Sequence, residues 1–336
     1  METVRTVKSE RMEMRYCRFG NPEGQPFVIL PGAAVKSVME SAMLIEKQYA
    51  AFAADYDVYV MDRRTDLPEP YSIAEMAEDT AEALRLLGLQ NVNLYGVSQG
   101  GMIAQMMAVQ HPELVKKLAL CATAPYMPDD GFLRRWTELA EQRDADALML
   151  AFGEKVYTQQ YLETYRNAFQ VFARTVTEED LRRFVICVSG IAGFDVRPRL
   201  HEIRCPVLVI GAEEDQIFGS APAKEIAEKT GGKLVIYSEQ PHAVYDMEPD
   251  VLVQIKAFLD AHDMTFEEAV SAIPKGRYRH FKGNEYEVLE IARHSETLEP
   301  MVVYRALYGE GGVWVRPAKM WNEPAGDGTV RRFTKI

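Results

Sequence analysis

A chain of 336 residues, 47% apolar and 26% charged, has the make-up of a folded globular protein long enough for more than one domain, and it excludes extended disorder. Its formal net charge of -12 argues against nucleic acid and against anionic membrane surfaces, since both need clustered cations. No stretch approaches the roughly 20 apolar residues of a membrane helix, and the stretch from Met1 to Gly20 has no apolar signal-peptide core.

The first element, from Met12 to Phe19, reads as an antiparallel leading strand. Short apolar runs follow at Phe27 to Leu30, Val58 to Met61, Val92 to Tyr95, Leu118 to Cys121, Val207 to Ile210 and Leu234 to Tyr237. Several are apolar at consecutive positions, the pattern of parallel strands covered on both faces. Helical stretches such as Ile73 to Leu87 and Met102 to Gln110 lie between them, and this alternation predicts a doubly wound α/β sheet. It stops between about Ala124 and Arg204. That block has helical periodicity and carries Phe132, Trp136, Tyr157, Tyr161, Tyr165, Phe169, Phe172 and Phe184. A helical insertion between two sheet strands is expected to form a cap over the C-terminal edge of the sheet, its aromatics chiefly packing the cap's own core.

The character changes again after Asp263, giving an expected division into residues 1–263 and 264–336. Thr265-Phe266-Glu267-Glu268 reads as a capping box opening a short helix, which Pro274 and Gly276 stop. Runs at Glu285 to Ile291, Val302 to Tyr308 and Val313 to Val315, separated by turn residues, predict a small β domain.

Gly96-Val97-Ser98-Gln99-Gly100 follows one predicted strand directly and runs into a predicted helix. A turn this sharp strains its central residue and crowds strand against helix. Glycine two residues before and two after removes the side chains that would collide, and Ser98 Oγ is thrust out beside the positive end of the helix. The spacing is not G-x-G-x-x-G, no acidic residue ends a strand some twenty residues later, and no G-x-x-x-x-G-K occurs, so a nucleotide-binding turn is disfavoured.

On this motif the chain resembles the α/β-hydrolase superfamily over roughly residues 10–262, which implies an α/β-hydrolase fold. In that family a glycine-bearing loop after an early strand donates a backbone N–H to the oxyanion. Leu30-Pro31-Gly32-Ala33-Ala34 stands there, with Pro31 where His is usual, and the resemblance implies Ala33 and Gln99 as the two donors. A second landmark, commonly D-x-R-G, reads Asp62-Arg63-Arg64-Thr65 and lacks the glycine.

The resemblance also orders the base and the acid after the nucleophile. Of six histidines, His111 ends the elbow helix, His201 approaches a strand, His262 ends the last helix of the fold, and His280 and His294 belong to the small domain. Only His242 lies in the loop after the final sheet strand, where the family places its catalytic histidine. The acid implied by the loop Gly211 to Ile217 is Asp215, with Glu213 and Glu214 as competitors. The acid position used one strand earlier in some subfamilies has no carboxylate until Asp129.

Residues from about Lys275 to Trp321 resemble a small bacterial domain of unknown function. Aromatics there interleave with Arg and His, a pattern suited to a nucleic acid or an anionic ligand, or simply to a tiny β core with cations facing water; the core reading is preferred. The four cysteines (Cys17, Cys121, Cys187, Cys205) lack metal or redox spacing and read as free thiols in a reducing cytoplasm. No cofactor and no metal are expected. The expected function is a serine hydrolase cleaving a small ester, thioester, lactone or related acyl compound through Ser98, Asp215 and His242. The expected partner is that small-molecule acyl substrate, with a homo-oligomer left open. The competing reading is a non-catalytic binding or regulatory protein on a hydrolase fold, with the C-terminal domain as the functional module.

Overall fold

The computed structural model describes residues 4–127, 129–261, 265–295, 299–321, 324–325 and 330–336. The chain divides into two compact units, Met1–Leu259 and Asp260–Ile336. The break expected at Asp263, and His262 beside it, lie outside the described residues.

The first unit is built on an eight-stranded sheet. Strands β1 (Val4–Lys8), β2 (Glu13–Gly20) and β4 (Tyr56–Arg64) pair antiparallel in that order. From β4 the pairing is parallel through β3 (Gln25–Leu30), β5 (Val92–Val97), β6 (Val115–Cys121), β7 (Val207–Ala212) and β8 (Lys233–Tyr237). Consecutive apolar residues in these strands serve two cores. Along β3, Val28 and Leu30 face one core while Phe27 and Ile29 face the other, as the two-residue period of a strand requires.

Helices α2 (Ile73–Leu86), α3 (Gln99–Gln110) and α8 (Ala221–Thr230) fill the first core with Met76, Met102, Met107 and Ile226. Helix α10 (Asp250–Asp260) and the segment around Tyr49 and Phe52 fill the second. Two elements lacked a sequence signal. Strand β1 lies at the sheet edge and buries only Val7, so it shows no alternation. Helix α1 (Ala42–Gln48) buries only Ala42 and leaves Met43 and Leu44 exposed.

The cap consists of α4 (Gly131–Glu141), α5 (Ala145–Val156), α6 (Gln159–Ala173) and α7 (Glu178–Ser189). Thr177 and Asp180 form a capping box at the start of α7. Phe132, Trp136, Phe152 and Phe184 form a chain of tilted and edge-on ring contacts at centroid distances of 4.8–6.5 Å. Trp136, Leu148 and Phe184 belong to the same contiguous core as Val28 and Leu30 of the sheet. Among the described residues no helix is long and apolar enough to cross a membrane.

In the second unit, the Thr265–Glu268 box opens α11 (Phe266–Ala272). Strands β9 (Gly276–His280), β10 (Glu285–Arg293), β11 (Pro300–Ala306) and β12 (Val313–Pro317) are followed by a two-stranded pair, β13 (Pro324–Ala325) and β14 (Val330–Arg331), and by β15 (Phe333–Lys335). The main sheet runs β12-β11-β10-β9-β15 and is antiparallel throughout. Gly276, read as a breaker, opens β9, and the strand read to Tyr308 ends at Ala306. Trp321 lies against Phe333 at 3.8 Å with the rings nearly parallel, and Tyr278 and Tyr304 meet Trp321 edge-on. Most of this unit's aromatics therefore build a core, although Phe281, Tyr308 and Trp314 are exposed.

The cores of the two units share no residue. A chain ending at Asp263 is accordingly expected to fold, with near-native circular dichroism and one cooperative thermal transition. An insoluble or molten product would show that residues beyond Asp263 complete the first unit.

Candidate active site

Four loops at the C-terminal edge of the parallel strands carry the residues singled out from the sequence, as open α/β sheets arrange their ligand sites. Ser98 follows β5 and caps α3 with φ 51° and ψ -120°, a conformation that non-glycine residues rarely adopt. Its backbone is pinned on both sides: its N–H donates to Cys121 O at 3.0 Å, and its carbonyl accepts from Thr123 Oγ1 at 2.7 Å and from Gly101 N at 2.9 Å. Two glycines permit the turn. A Cβ on Gly96 would stand 2.5 Å from Gly100 O, and one on Gly100 only 2.0 Å from Leu30 O.

The Ser98 side chain bonds no helix N–H. It turns instead to His242, whose Nε2 lies 3.0 Å from Oγ. His242 Nδ1 lies 2.9 Å from Asp215 Oδ2. A carboxylate can only accept, so Nδ1 carries the proton and Nε2 is free to accept the serine hydroxyl. The other Asp215 oxygen accepts from Ile217 N at 2.7 Å and Phe218 N at 3.1 Å. Burial pushes the Asp215 carboxyl up; the charge and hydrogen bond of His242 and the two backbone donors outweigh it, and the net shift is downward. His242 and Asp215 are 2% and 7% exposed, whereas Glu213 and Glu214 point to solvent. The acid and histidine loops are stitched together by Glu213 N to Tyr237 O and Glu214 N to Gln240 O. Ala243 N also donates to Val156 O at 2.8 Å, tying the histidine loop to the end of α5.

Ala33 lines the same pocket as Ser98 and His242, and Gln99 is the first residue of α3. Among the described residues nothing accepts a hydrogen bond from the backbone N–H of either. Arg63, quoted above only as part of a broken motif, joins the two segments. Its Nη2 donates to Pro31 O at 2.7 Å and to Gln99 Oε1 at 3.1 Å, while Gln99 Nε2 donates to Cys187 O at 2.6 Å.

The pocket at Ser98 is mostly apolar, walled by Phe132, Trp136, Phe152, Ile191 and Phe218. Its free volume of about 30 Å³ holds little more than a water or two. Among the described residues of the first unit, the other histidines do not line it. His111 bonds Glu78 and Arg85, His201 is exposed in the short turn that precedes β7, and His280 and His294 belong to the second unit.

The family described as alpha/beta hydrolase fold matches residues 25–249, and one described as a protein of unknown function (DUF1653) matches residues 276–335. Among curated relatives, a 3-oxoadipate enol-lactonase 2 of Acinetobacter baylyi is 22% identical over 228 residues, covering 66% of this chain and 84% of the relative. A poly(3-hydroxyalkanoate) depolymerase of Ectopseudomonas oleovorans is 33% identical over 220 residues, covering 64% and 77%. Among solved structures, the enol-lactonase of Burkholderia xenovorans LB400 superposes with a TM-score of 0.66 at 21% identity, covering 76% of this chain and 98% of its own. An esterase of Exiguobacterium antarcticum gives 0.65 at 22% identity, covering 78% and 100%. The family match spans well over half of the residues, and the chain belongs to the alpha/beta hydrolase fold family.

Proposed function

We propose that the protein is a serine hydrolase that cleaves a small ester, thioester, lactone or related acyl compound through an acyl-enzyme on Ser98. The observation that carries this reading is the continuous chain Ser98 Oγ, His242 Nε2, His242 Nδ1, Asp215 Oδ2, with steps of 3.0 and 2.9 Å. In the proposed reaction, Ser98 Oγ attacks the acyl carbon as His242 takes its proton. The oxyanion is held by the N–H groups of Ala33 and Gln99. His242 then protonates the leaving group, which departs with formation of the Ser98 ester. Water deprotonated by His242 attacks that ester and frees the acid. Asp215 holds the ring in the correct tautomer and stabilises the imidazolium. The relatives named as enol-lactonase and esterase support an acyl substrate. The small apolar pocket supports a short acyl group.

A fluorophosphonate is expected to add covalently to Ser98, as read by intact mass. Ser98→Ala should abolish both labelling and aryl-ester turnover while leaving the melting temperature within a few degrees. Full esterase activity in that variant would end the serine-hydrolase reading.

Asp215→Asn is expected to lower kcat by about 10³–10⁴-fold, as the corresponding tautomer change does in serine proteases. Changes at the exposed Glu213 and Glu214 should cost little. A large loss at Glu214 with none at Asp215 would reassign the acid.

Arg63 acts by positioning: its guanidinium braces both donor segments. Arg63→Met should lower kcat by roughly 10–100-fold with a far smaller change in KM, because an oxyanion donor matters most in the transition state. Added guanidinium should restore part of the rate. A loss expressed wholly in KM, without rescue, would rule out this role.

A further inference from the structure

Asp246 stands four residues beyond His242, in α9 (Val244–Met247). Its carboxylate accepts from Gln48 Nε2 at 3.1 Å and from Tyr157 Oη at 3.3 Å. Among the described residues no lysine, arginine or histidine forms an ion pair with it. The protein crowded around the carboxyl pushes its pKa up, against the pull of Gln48, Tyr157 and His242. The residue nonetheless opens onto a cleft of about 360 Å³.

This cleft adjoins the Ser98 pocket, with which it shares Gly32, Ala33, Phe152 and Tyr245. It is roughly twelve times larger by the same measure, so most of a substrate would lie here. Its other charged residues, Lys36 and Glu40, neutralise each other at 2.7 Å, and Lys36 Nζ also donates to Thr175 O. One negative charge is left without an ion-pair partner, in a wall that also presents Tyr49, Phe152 and Tyr245, while Lys36 lies over the Phe172 ring. A neutral apolar ligand filling this space would strip water from the carboxylate and return nothing. A cation would be held by the charge and by the ring faces together.

We propose that the cleft binds an organic ammonium group, carried on the part of the substrate outside the Ser98 pocket, with Asp246 as its counter-charge. As a statement about substrate this rests on the acyl-hydrolase reading; as a statement about binding it does not. The net charge of -12 favours the approach of such a ligand.

The test is a calorimetric titration of the full-length protein with choline and with 3,3-dimethylbutan-1-ol, which have the same shape but differ in charge. Choline is expected to bind about tenfold or more tightly. In Asp246→Asn that ratio should fall close to one, with the melting temperature recorded as a check of folding, and Asp246→Glu should restore much of it. Equal affinities in the unaltered protein, absence of choline binding, or an unchanged ratio in Asp246→Asn would each overturn the proposal. Should the variants fail to fold, the ratio in the unaltered protein decides alone. Failure of the hydrolase reading would appear separately, as absence of a fluorophosphonate adduct. Given turnover, kcat/KM for choline esters relative to 3,3-dimethylbutyl esters should follow the binding ratio.

Discussion

The Leu30 carbonyl lies hard against the first turn of α3, and the arrangement of the site follows from that approach. With no side chain at Gly100, the helix lies directly against the end of β3, and with none at Gly96, β5 turns into that helix without a spacer. Ser98 absorbs the geometric cost in its positive φ. The loop leaving β3 then passes so close that a Cβ on Gly32 would stand 3.2 Å from Ser98 Cβ. Ala33 therefore comes to the same pocket as the serine, with Gln99 next after Ser98 in the chain, because strand, turn and helix are pressed together.

Around this fixed centre the charges are disposed asymmetrically. The Arg63 guanidinium reaches Pro31 and Gln99, on the side of the proposed oxyanion donors. Asp215 is bonded to His242, and Asp246 interacts with the same ring through its field, on the side where the proposed proton transfer from Ser98 would develop positive charge. Proton transfer in the proposed reaction thus separates charge along a direction the protein has already polarised, and the low exposure of His242 and Asp215 keeps water from weakening it.

Much of this was legible in the residues because it depends on local rules. Two glycines flanking a serine between strand and helix announce a sharp turn, and consecutive apolar residues announce a strand with two covered faces. Which carboxylate meets His242 was legible only through resemblance, since Glu213, Glu214 and Asp215 are chemically alike; burial distinguishes them, and burial is a property of the fold. Arg63 and Asp246 left no readable sign of their roles. Their partners are 32 and 36 residues away for Arg63, and 198 and 89 residues away for Asp246. No local periodicity encodes such contacts. Strands β1 and β15 were missed for a related reason: a short edge strand with one buried side chain carries no alternation to detect.

The cap also shares its interior with the sheet. Trp136, Leu148 and Phe184 are part of the core that Val28 and Leu30 enter, and the end of α5 is bonded to the histidine loop. A lid on a hinge has its own stability and can detach while the body stays folded. A layer that supplies part of a common interior has no such independence, and removing it exposes to water the apolar residues it covers in that core. Its melting and the melting of the body are then a single cooperative event, so that on heating the enzyme retains its closed site until the fold itself is lost.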